Sequence, residues 1–164
     1  QVPVADRVGA EDDGWTVAKQ LMYYARASNT TCGLLRRALR RTTELHARCG
    51  TTEPGARRRL DEAELRLAAL ERIEYAAAGS DSTAEREFHA STMKLLATEL
   101  HQRITEVALE LAGPLALEQR DATQSLAATP FAHAASKYFA TRAATIYSGT
   151  SEVHRNILGR QLVG

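Results

Sequence analysis

The chain has 164 residues, of which 44% are apolar and 25% are charged, and its formal net charge is +1. This composition is that of one folded domain with a hydrophobic core, and it excludes a disordered or fibrous protein. No apolar run approaches the roughly 20 residues of a membrane span, and the first residues lack the pattern of a secretory signal.

The first residues predict an extended segment followed by one long helix. Residues 2–4, Val-Pro-Val, have the pattern of a short edge strand, where proline is tolerated, and residues 11–14 predict a polar turn. From residue 15 to residue 47 the apolar residues follow a helical period, which predicts a helix that Gly50 ends. Its expected inward positions are Val17, Leu21, Tyr24, Thr31, Leu35 and Ala38.

Two more amphipathic helices follow. One begins near Pro54, which suits a first turn, and it ends at Gly79. Ser82 and Glu85 form a capping-box pattern that begins the next helix, which continues to about Leu111. The expected inward positions of the two helices are Leu60, Ala63, Leu67, Leu70, Ile73, Ala77, Leu96, Leu100, Ile104, Val107 and Leu111.

The last part of the chain predicts two shorter helices. Gly113-Pro114 breaks the preceding helix, and a fourth helix is expected over residues 132–147. A short final helix is expected over residues 151–162, with Thr150 as its cap. The predicted fold class is therefore all-α, an antiparallel four-helix bundle with a short extra C-terminal helix.

The most informative segment is residues 142–158, which contains Ser148-Gly149-Thr150-Ser151-Glu152 between two predicted helices. A break of this kind exposes backbone N–H groups at a helix N-terminus, where an anion or a polar cofactor group is favoured. Gly149 allows a close approach of another group to the backbone. The simpler alternative is a capped helix turn without a ligand.

This segment resembles the C-terminal signature of acyl-CoA dehydrogenases, Ile-Tyr-x-Gly-Thr-Ser-Glu-Ile-x-Arg-Asn-Ile. Residues 2–15 look like the passage at which that family's chain leaves its middle β-domain and enters its C-terminal helices. Both ends match in the right order and separation, so the resemblance spans essentially the whole chain. It implies that residues 1–13 are a linker from a β-domain and that residues 14–164 are the C-terminal helical bundle.

The resemblance also implies an activity. Family members bind FAD between the subunits of a dimer or tetramer and dehydrogenate an acyl-CoA thioester between its α and β carbons. Electrons then pass to an electron-transfer flavoprotein. By position, Gly149, Thr150 and Glu152 match cofactor contacts, and Arg26 matches an arginine that lines the substrate site. Arg48 stands, shifted in register, for an arginine near the FAD pyrophosphate.

The chain departs from the family at the catalytic base. The reaction needs a carboxylate over the substrate α-carbon. In many members it lies between the Tyr and Gly of the motif, where this chain has Ser148, and in others it precedes the arginine of the first helix, where this chain has Ala25. A serine hydroxyl is not a general base at neutral pH without help, so neither position provides one.

Three hypotheses account for this loss. We favour the first, that the chain is the base-lacking subunit of a heteromeric enzyme and keeps a role in assembly. The second is that it is a homologue with different chemistry or none. The third is that an unmatched residue, such as Glu118 or Asp121, supplies the base.

A non-enzymatic alternative is a helical oligomerisation or nucleic-acid-binding module. Eight arginines between residues 36 and 59 face only Glu44 and Glu53, which gives a local charge of +6 that can attract phosphates. No aromatic residue lies in this stretch to stack on bases, so we expect a solvated face with intersubunit ion pairs and no nucleic acid. The arginines are Arg36, Arg37, Arg40, Arg41, Arg48, Arg57, Arg58 and Arg59.

The histidines and cysteines do not predict a metal site. A di-iron bundle needs Glu-x-x-His pairs, and no histidine here has a glutamate three residues before it. We expect His46, His89, His101 and His154 at the surface or on helix flanks. Cys32 and Cys49 form no CxxC pair or disulfide framework, so the predicted location is the reducing cytoplasm, with Cys32 buried and Cys49 in a loop.

Overall fold

A computed structural model describes residues 2–28, 30–50, 54–117, 131 and 133–163, and within these it leaves out the side chains of 23–28, 54 and 117. The described residues contain helices and no strand, which confirms the predicted all-α class. The helices are α1 Gly14–Ser28, α2 Cys32–Cys49, α3 Pro54–Ala78, α4 Thr83–Ala112, α5 Ala134–Arg142 and α6 Ser151–Val163.

The core lies between α2, α3 and α4. Leu35 of α2 is completely buried, and Leu67 of α3 and Ile104 of α4 pack into the same cluster. Burying each such side chain contributes about 1.5–3 kcal/mol. The predicted inward positions of α3 and α4 are mostly confirmed, because Leu60, Ala63, Leu67, Leu70, Leu100, Ile104 and Val107 are all buried.

Two of the leucines predicted to face inward are exposed instead. Leu21 of α1 is 69% exposed and Leu96 of α4 is 43% exposed. On α4 the neighbouring positions Met93 and Ala97 face the core instead. Much of any protein surface is apolar, so a leucine that fits a helical period can still be exposed.

The single long helix predicted over residues 15–47 is divided into α1 and α2. Thr31, which was expected to face the core, is the N-cap of α2, and its Oγ1 accepts a hydrogen bond of 3.3 Å from the Leu34 N–H. Glu74 of α3 accepts another from the Cys32 N–H at 3.2 Å. These acceptors satisfy N–H groups that a new helix leaves unpaired, so the interruption is stabilised. Gly50 ends α2 in a left-handed conformation, as predicted.

The edge strand predicted at residues 2–4 is also wrong. Pro3 precedes a short 3-10 turn, Val4–Asp6, and the Arg7 N–H donates to the Val4 carbonyl. A strand needs a partner to pair its backbone groups, and the described part of the chain supplies none. The short turn satisfies some of those groups locally.

The helix predicted over residues 132–147 is shorter than expected. It ends at Arg142, continues as a 3-10 turn over Ala143–Thr145, and reaches Ser148 with a φ of 57°. A left-handed residue cannot continue a right-handed helix, which explains the end of this segment. Thr150 then caps α6 as predicted, because its Oγ1 accepts a hydrogen bond of 3.3 Å from the Val153 N–H.

The segments on both sides of Ser148 pack against α4. The Gln102 side chain donates to the Thr141 carbonyl at 3.0 Å, and Arg142 pairs with Glu106 at 2.6 Å. Arg155 of α6 pairs with Glu99 at 2.9 Å. Helix α4 therefore positions the chain before and after the turn at residue 148. Among the described helices, none is both long and apolar enough to cross a bilayer.

Candidate functional site

The segment Ser148-Gly149-Thr150-Ser151-Glu152, called here the 148–152 corner, joins the residues that follow the 3-10 turn after α5 to the first turn of α6. Ser148 has a φ of 57° and Gly149 a φ of 96°, so two consecutive residues are in conformations that L-residues rarely adopt. For a residue with a β-carbon, the left-handed region costs about 1–2 kcal/mol. The corner therefore needs contacts that hold it in place.

Two buried side chains hold the inner side of the corner. His154, which has no exposed surface, places Nε2 3.2 Å from the Ser148 carbonyl oxygen. A carbonyl only accepts, so Nε2 carries the proton and donates. Lys94, which is 2% exposed, donates from Nζ to the Gly149 carbonyl oxygen.

The direction of these carbonyls fixes the direction of the neighbouring N–H groups. In a planar trans peptide the C=O and the following N–H point in opposite directions. The Ser148 and Gly149 carbonyls point inward to His154 and Lys94, so the N–H groups of Gly149 and Thr150 point away from the bundle interior. The corner can therefore donate two backbone hydrogen bonds toward its outer side.

Gly149 packs closely against a side chain of its own chain, and its predicted contact with a cofactor stays a prediction. A β-carbon at this position would lie 2.8 Å from His154 Nε2, well inside contact distance. Glycine is required here because of a side chain of the same chain. The prediction that His154 lies at the surface or on a helix flank is wrong: the first turn of α6 places Ser151 and His154 on the face that packs inward, and both are buried.

Lys94 was not among the predicted site residues, although the sequence of its helix carries a signal. Ser91, Thr98 and Thr105 recur every seven residues on the same side of α4 as Lys94, and all are buried. Thr98 Oγ1 donates to the Lys94 carbonyl at 2.7 Å, and Thr105 is 3.0 Å from the Thr141 hydroxyl. A stripe of small hydroxyl residues is typical of a helix face that packs against the backbone of another segment. Here this face of α4 packs against α5, the 3-10 turn after it, and α6.

The surroundings of Lys94 disfavour its charge. Burial lowers the pKa of Lys94 below its ordinary value, and the negative charge of Glu152 acts in the opposite direction. An ammonium in a buried site is tolerated when its donors are hydrogen-bonded, and here the Gly149 carbonyl is the acceptor.

Glu152 lies on the outer side of the corner, where its side chain is 77% exposed. Hydrogen bonds from its own backbone N–H and from the Thr150 side chain hold the pKa of Glu152 below the usual range. Arg155 adds an ion pair at 3.8 Å. The ionised carboxylate repels a phosphate but accepts hydrogen bonds from a hydroxyl or amino group. The outer side of the corner thus offers both donors and an acceptor.

The structure does not bring Arg48 to the corner. Arg48 is exposed at the end of α2, next to Cys49, whose Sγ is 3.5 Å from the Leu111 carbonyl. Lys94, which touches the corner, lies four to five turns earlier on α4, about 25 Å from Leu111 along the helix axis. Within one chain, Arg48 and the 148–152 corner are therefore separate.

The other predicted site residues cannot be placed by their side chains. Arg26 and Ala25 fall in α1, but their side chains lie outside the described residues. Glu118 and Asp121, the alternative bases, also lie outside them.

The pKa is shifted downward for every described carboxylate with a shifted value, away from the value that suits a base near neutral pH. These carboxylates are Glu62, Glu110 and Glu152.

Four of the eight arginines of the basic region form ion pairs within the chain itself. Ion pairs join Arg36 to Glu71, Arg40 to Glu44, Arg57 to Asp61 and Arg59 to Glu110. These four arginines, which were expected to pair with another subunit, therefore pair within the bundle. Their ion pairs reduce the positive charge that a nucleic acid would meet. In the described part of the chain, no cluster of three His, Cys, Asp or Glu side chains is arranged to hold a metal ion.

Known proteins are similar to this chain over most of its length. The family model described as "Acyl-CoA dehydrogenase, C-terminal domain" matches residues 12–163. The chain is 30% identical over 161 residues to the acyl-CoA dehydrogenase IpdE1 of Mycobacterium tuberculosis. It is 30% identical over 160 residues to the protein of the same name from Mycolicibacterium smegmatis. Each alignment covers 96% of this chain but only 40% and 38% of the two relatives, so the chain spans well under half of their length.

Two solved structures share the fold. The structure titled "PigA with FAD and proline" superimposes with a TM-score of 0.74 at 22% identity, over 99% of this chain and 42% of that one. The ChsE4–ChsE5 complex from Mycobacterium tuberculosis gives a TM-score of 0.71 at 24% identity, over 99% of this chain and 43% of that one. At these identities the likeness shows the fold alone.

Proposed function

The chain belongs to the acyl-CoA dehydrogenase family, as its C-terminal helical domain, and from this we propose that it completes an FAD site in an enzyme that dehydrogenates an acyl-CoA thioester. In this proposal the chain is the subunit that lacks the catalytic carboxylate. The observation that carries it is the 148–152 corner, which directs two backbone N–H groups outward and has Ser148 where the family places a base.

The chemistry of the corner suits a dinucleotide. The N–H groups of Gly149 and Thr150 would donate to carbonyl or phosphate oxygens of FAD, and the exposed Glu152 carboxylate would accept from a ribose or ribityl hydroxyl or an adenine amino group. The inner side is filled by Lys94 and His154, so the ligand would lie on the outer side only. FAD, when bound, accepts the hydride from the substrate β-carbon.

The distance between Arg48 and the corner supports a site made by more than one chain. Arg48 lies beside the C-terminal end of α4, whereas the corner lies beside Lys94 near the middle of that helix, about 25 Å away along the axis, so the Arg48 that approaches a given FAD would come from a neighbouring subunit. The solved ChsE4–ChsE5 relative is a complex of two differently named chains, which supports a hetero-oligomer over a homo-oligomer here. An electron-transfer flavoprotein would take the electrons.

Ser148 supports the base-lacking role. A serine hydroxyl does not abstract an α-proton at neutral pH without a base beside it, and the one described carboxylate of the corner, Glu152, is stabilised in its ionised form as a weak base. The carboxylate that takes the α-proton would therefore belong to the other subunit type. Arg26 would lie beside the substrate, as the family resemblance implies.

Exposed apolar residues support the proposed domain order, with residues 1–13 as a linker from a β-domain and residues 14–164 as the bundle. Val2, Val4 and Val8 are 76–79% exposed, and Trp15 at the start of α1 is 68% exposed. An adjoining domain would bury this surface. The described cysteines are both unbridged, which supports the proposed cytoplasmic location.

The test is to purify the complete native polypeptide with any subunit that co-purifies and to measure its flavin content by absorbance. We expect FAD in the assembled protein, and bleaching of the flavin by a series of saturated acyl-CoA thioesters only when a second subunit type is present. A colourless protein whose melting temperature is unmoved by FAD would contradict the flavoprotein assignment. Full activity from this polypeptide alone would contradict the base-lacking role.

A further inference from the structure

Lys94 is an unusual residue for its position. It lies in the middle of α4, is 2% exposed, and has the buried positions Met93 and Ala97 beside it on the helix. Methionine or leucine would fill this space without the cost of burying an ammonium group. Unlike these residues, lysine has a hydrogen-bond donor, and the carbonyl oxygen of Gly149 accepts the hydrogen bond from it.

This contact is a long-range restraint on the corner. Lys94 and Gly149 are 55 positions apart in sequence, whereas His154 reaches Ser148 from only six positions away within the same turn region. The local contact moves with the corner if α6 shifts. The contact from Lys94 ties the corner to the central helix of the bundle, which the core holds in place.

The conformation of the corner makes such a restraint necessary. Ser148 is held at a φ of 57°, and a residue with a β-carbon relaxes from this region unless its surroundings prevent it. Rotation of the Gly149–Thr150 peptide would turn the carbonyl outward and the Thr150 N–H inward. The hydrogen bond from Lys94 opposes that rotation.

From these contacts we infer that Lys94 is a positioning residue: by holding the Gly149 carbonyl inward, its ammonium keeps the Thr150 N–H directed outward for a cofactor oxygen. The ligand side of this inference rests on the proposed flavin function. Lys94 does not touch the ligand itself, and Glu152, whose charge interacts with that of Lys94, lies on the ligand side.

The test uses Lys94→Met in the complete native protein, because methionine keeps most of the length of the side chain and removes the donor. Lys137→Met is the matched control, since Lys137 is exposed on α5. Hydrogen–deuterium exchange of the cofactor-free protein is measured over residues 146–153 and over the α3 segment 60–70, and FAD affinity is measured by titration well below the melting temperature.

In Lys94→Met we expect faster exchange over residues 146–153 with unchanged exchange over residues 60–70. We also expect FAD binding weakened by about tenfold, which corresponds to the loss of one ordinary hydrogen bond, that from the Thr150 N–H to the cofactor. Lys137→Met is expected to match the wild type in both measurements. A purely structural lysine would instead lower protection in both segments and leave FAD affinity unchanged at a temperature where the protein is folded.

Two results would overturn the inference: FAD affinity within twofold of wild type in Lys94→Met, or exchange that accelerates equally in both segments. If Lys94→Met does not fold, Lys94→Gln keeps an N–H donor, and we expect a smaller acceleration that is again confined to residues 146–153. Failure of the proposed flavin function can be distinguished from failure of this inference. If the wild type binds no FAD, the exchange measurement on the cofactor-free protein still shows whether Lys94 holds the corner.

Discussion

The imidazole of His154 lies against the backbone of Gly149 so closely that a β-carbon on the glycine would meet Nε2 at 2.8 Å. Glycine and histidine are therefore matched to each other inside one chain, and the corner proposed to hold the flavin also meets a packing requirement. The inner side of the 148–152 corner is filled by the bundle, and only its outer side is open to a ligand or another subunit.

Replacing this glycine tests the packing requirement. Gly149→Ala introduces the contact with His154 and places alanine at a φ of 96°, so we expect a loss of about 1–3 kcal/mol in the free energy of unfolding. Gly159→Ala in α6 is the control, because nothing lies within 4 Å of its β-carbon and alanine favours a helix. The control should gain about 0.5–1 kcal/mol. Equal effects of the two substitutions in urea unfolding would show that the corner is not packed as described.

Ser148→Glu tests the assignment of the missing base. A glutamate at this position puts a carboxylate where the family resemblance places it, so we expect acyl-CoA α-protons to exchange with deuterated water about 10²-fold faster than in Ser148→Gln. Nuclear magnetic resonance of the acyl-CoA follows the exchange. The glutamine variant controls for side-chain size. If both variants exchange at the same rate, position 148 of this chain does not face a substrate α-carbon.

The buried Lys94 predicts a specific pH dependence of stability. Burial lowers its folded-state pKa below the unfolded value of 10.5, so between the two values the unfolded chain holds a proton that the folded chain has released. The free energy of unfolding therefore rises with pH through this window. Relative to Lys94→Met, the wild type should become more stable as the pH rises toward 10.5. A difference between the two that is independent of pH in urea unfolding would contradict the burial of this ammonium.

The two thiols should react at very different rates. Burial, with a further contribution from a hydrogen bond to Glu74, raises the pKa of Cys32 to about 12, and only the thiolate is reactive. Cys49, at the end of α2, is partly exposed. We expect an alkylating reagent to modify Cys49 in the native protein and Cys32 only on unfolding, with Cys49→Ser used to observe Cys32 alone. Rapid labelling of Cys32 in native Cys49→Ser would show that α2 is not packed on α3 at this point.

The parts of the fold that follow from local pattern were predictable from the sequence. The Thr150 cap, the end of α2 at Gly50 and the buried stripe of α3 depend on residues a few positions apart, which a periodic or capping pattern reports directly. The break before α2 was missed because it depends on Glu74, a residue of another helix. A helical period continues through such a break without a visible interruption.

The position of the corner was predictable from the sequence, but the contacts on its inner side were not. The motif indicates where the corner lies, but its inner side depends on Lys94, which is far away in sequence and carries a charge that argues for exposure. The same rule placed His154 at the surface, although tertiary contacts bury it completely. Buried polar residues that hold backbone carbonyls become recognisable only when the partner segment is known.

Hydrogen–deuterium exchange with and without FAD tests the central claim most directly, because it reports on the N–H groups that the corner directs outward. In the assembled native protein, FAD should slow exchange over residues 146–153 while leaving the α3 segment 60–70 unchanged. Flavin that is bound, as shown by its absorbance, without any protection of residues 146–153 would contradict the account.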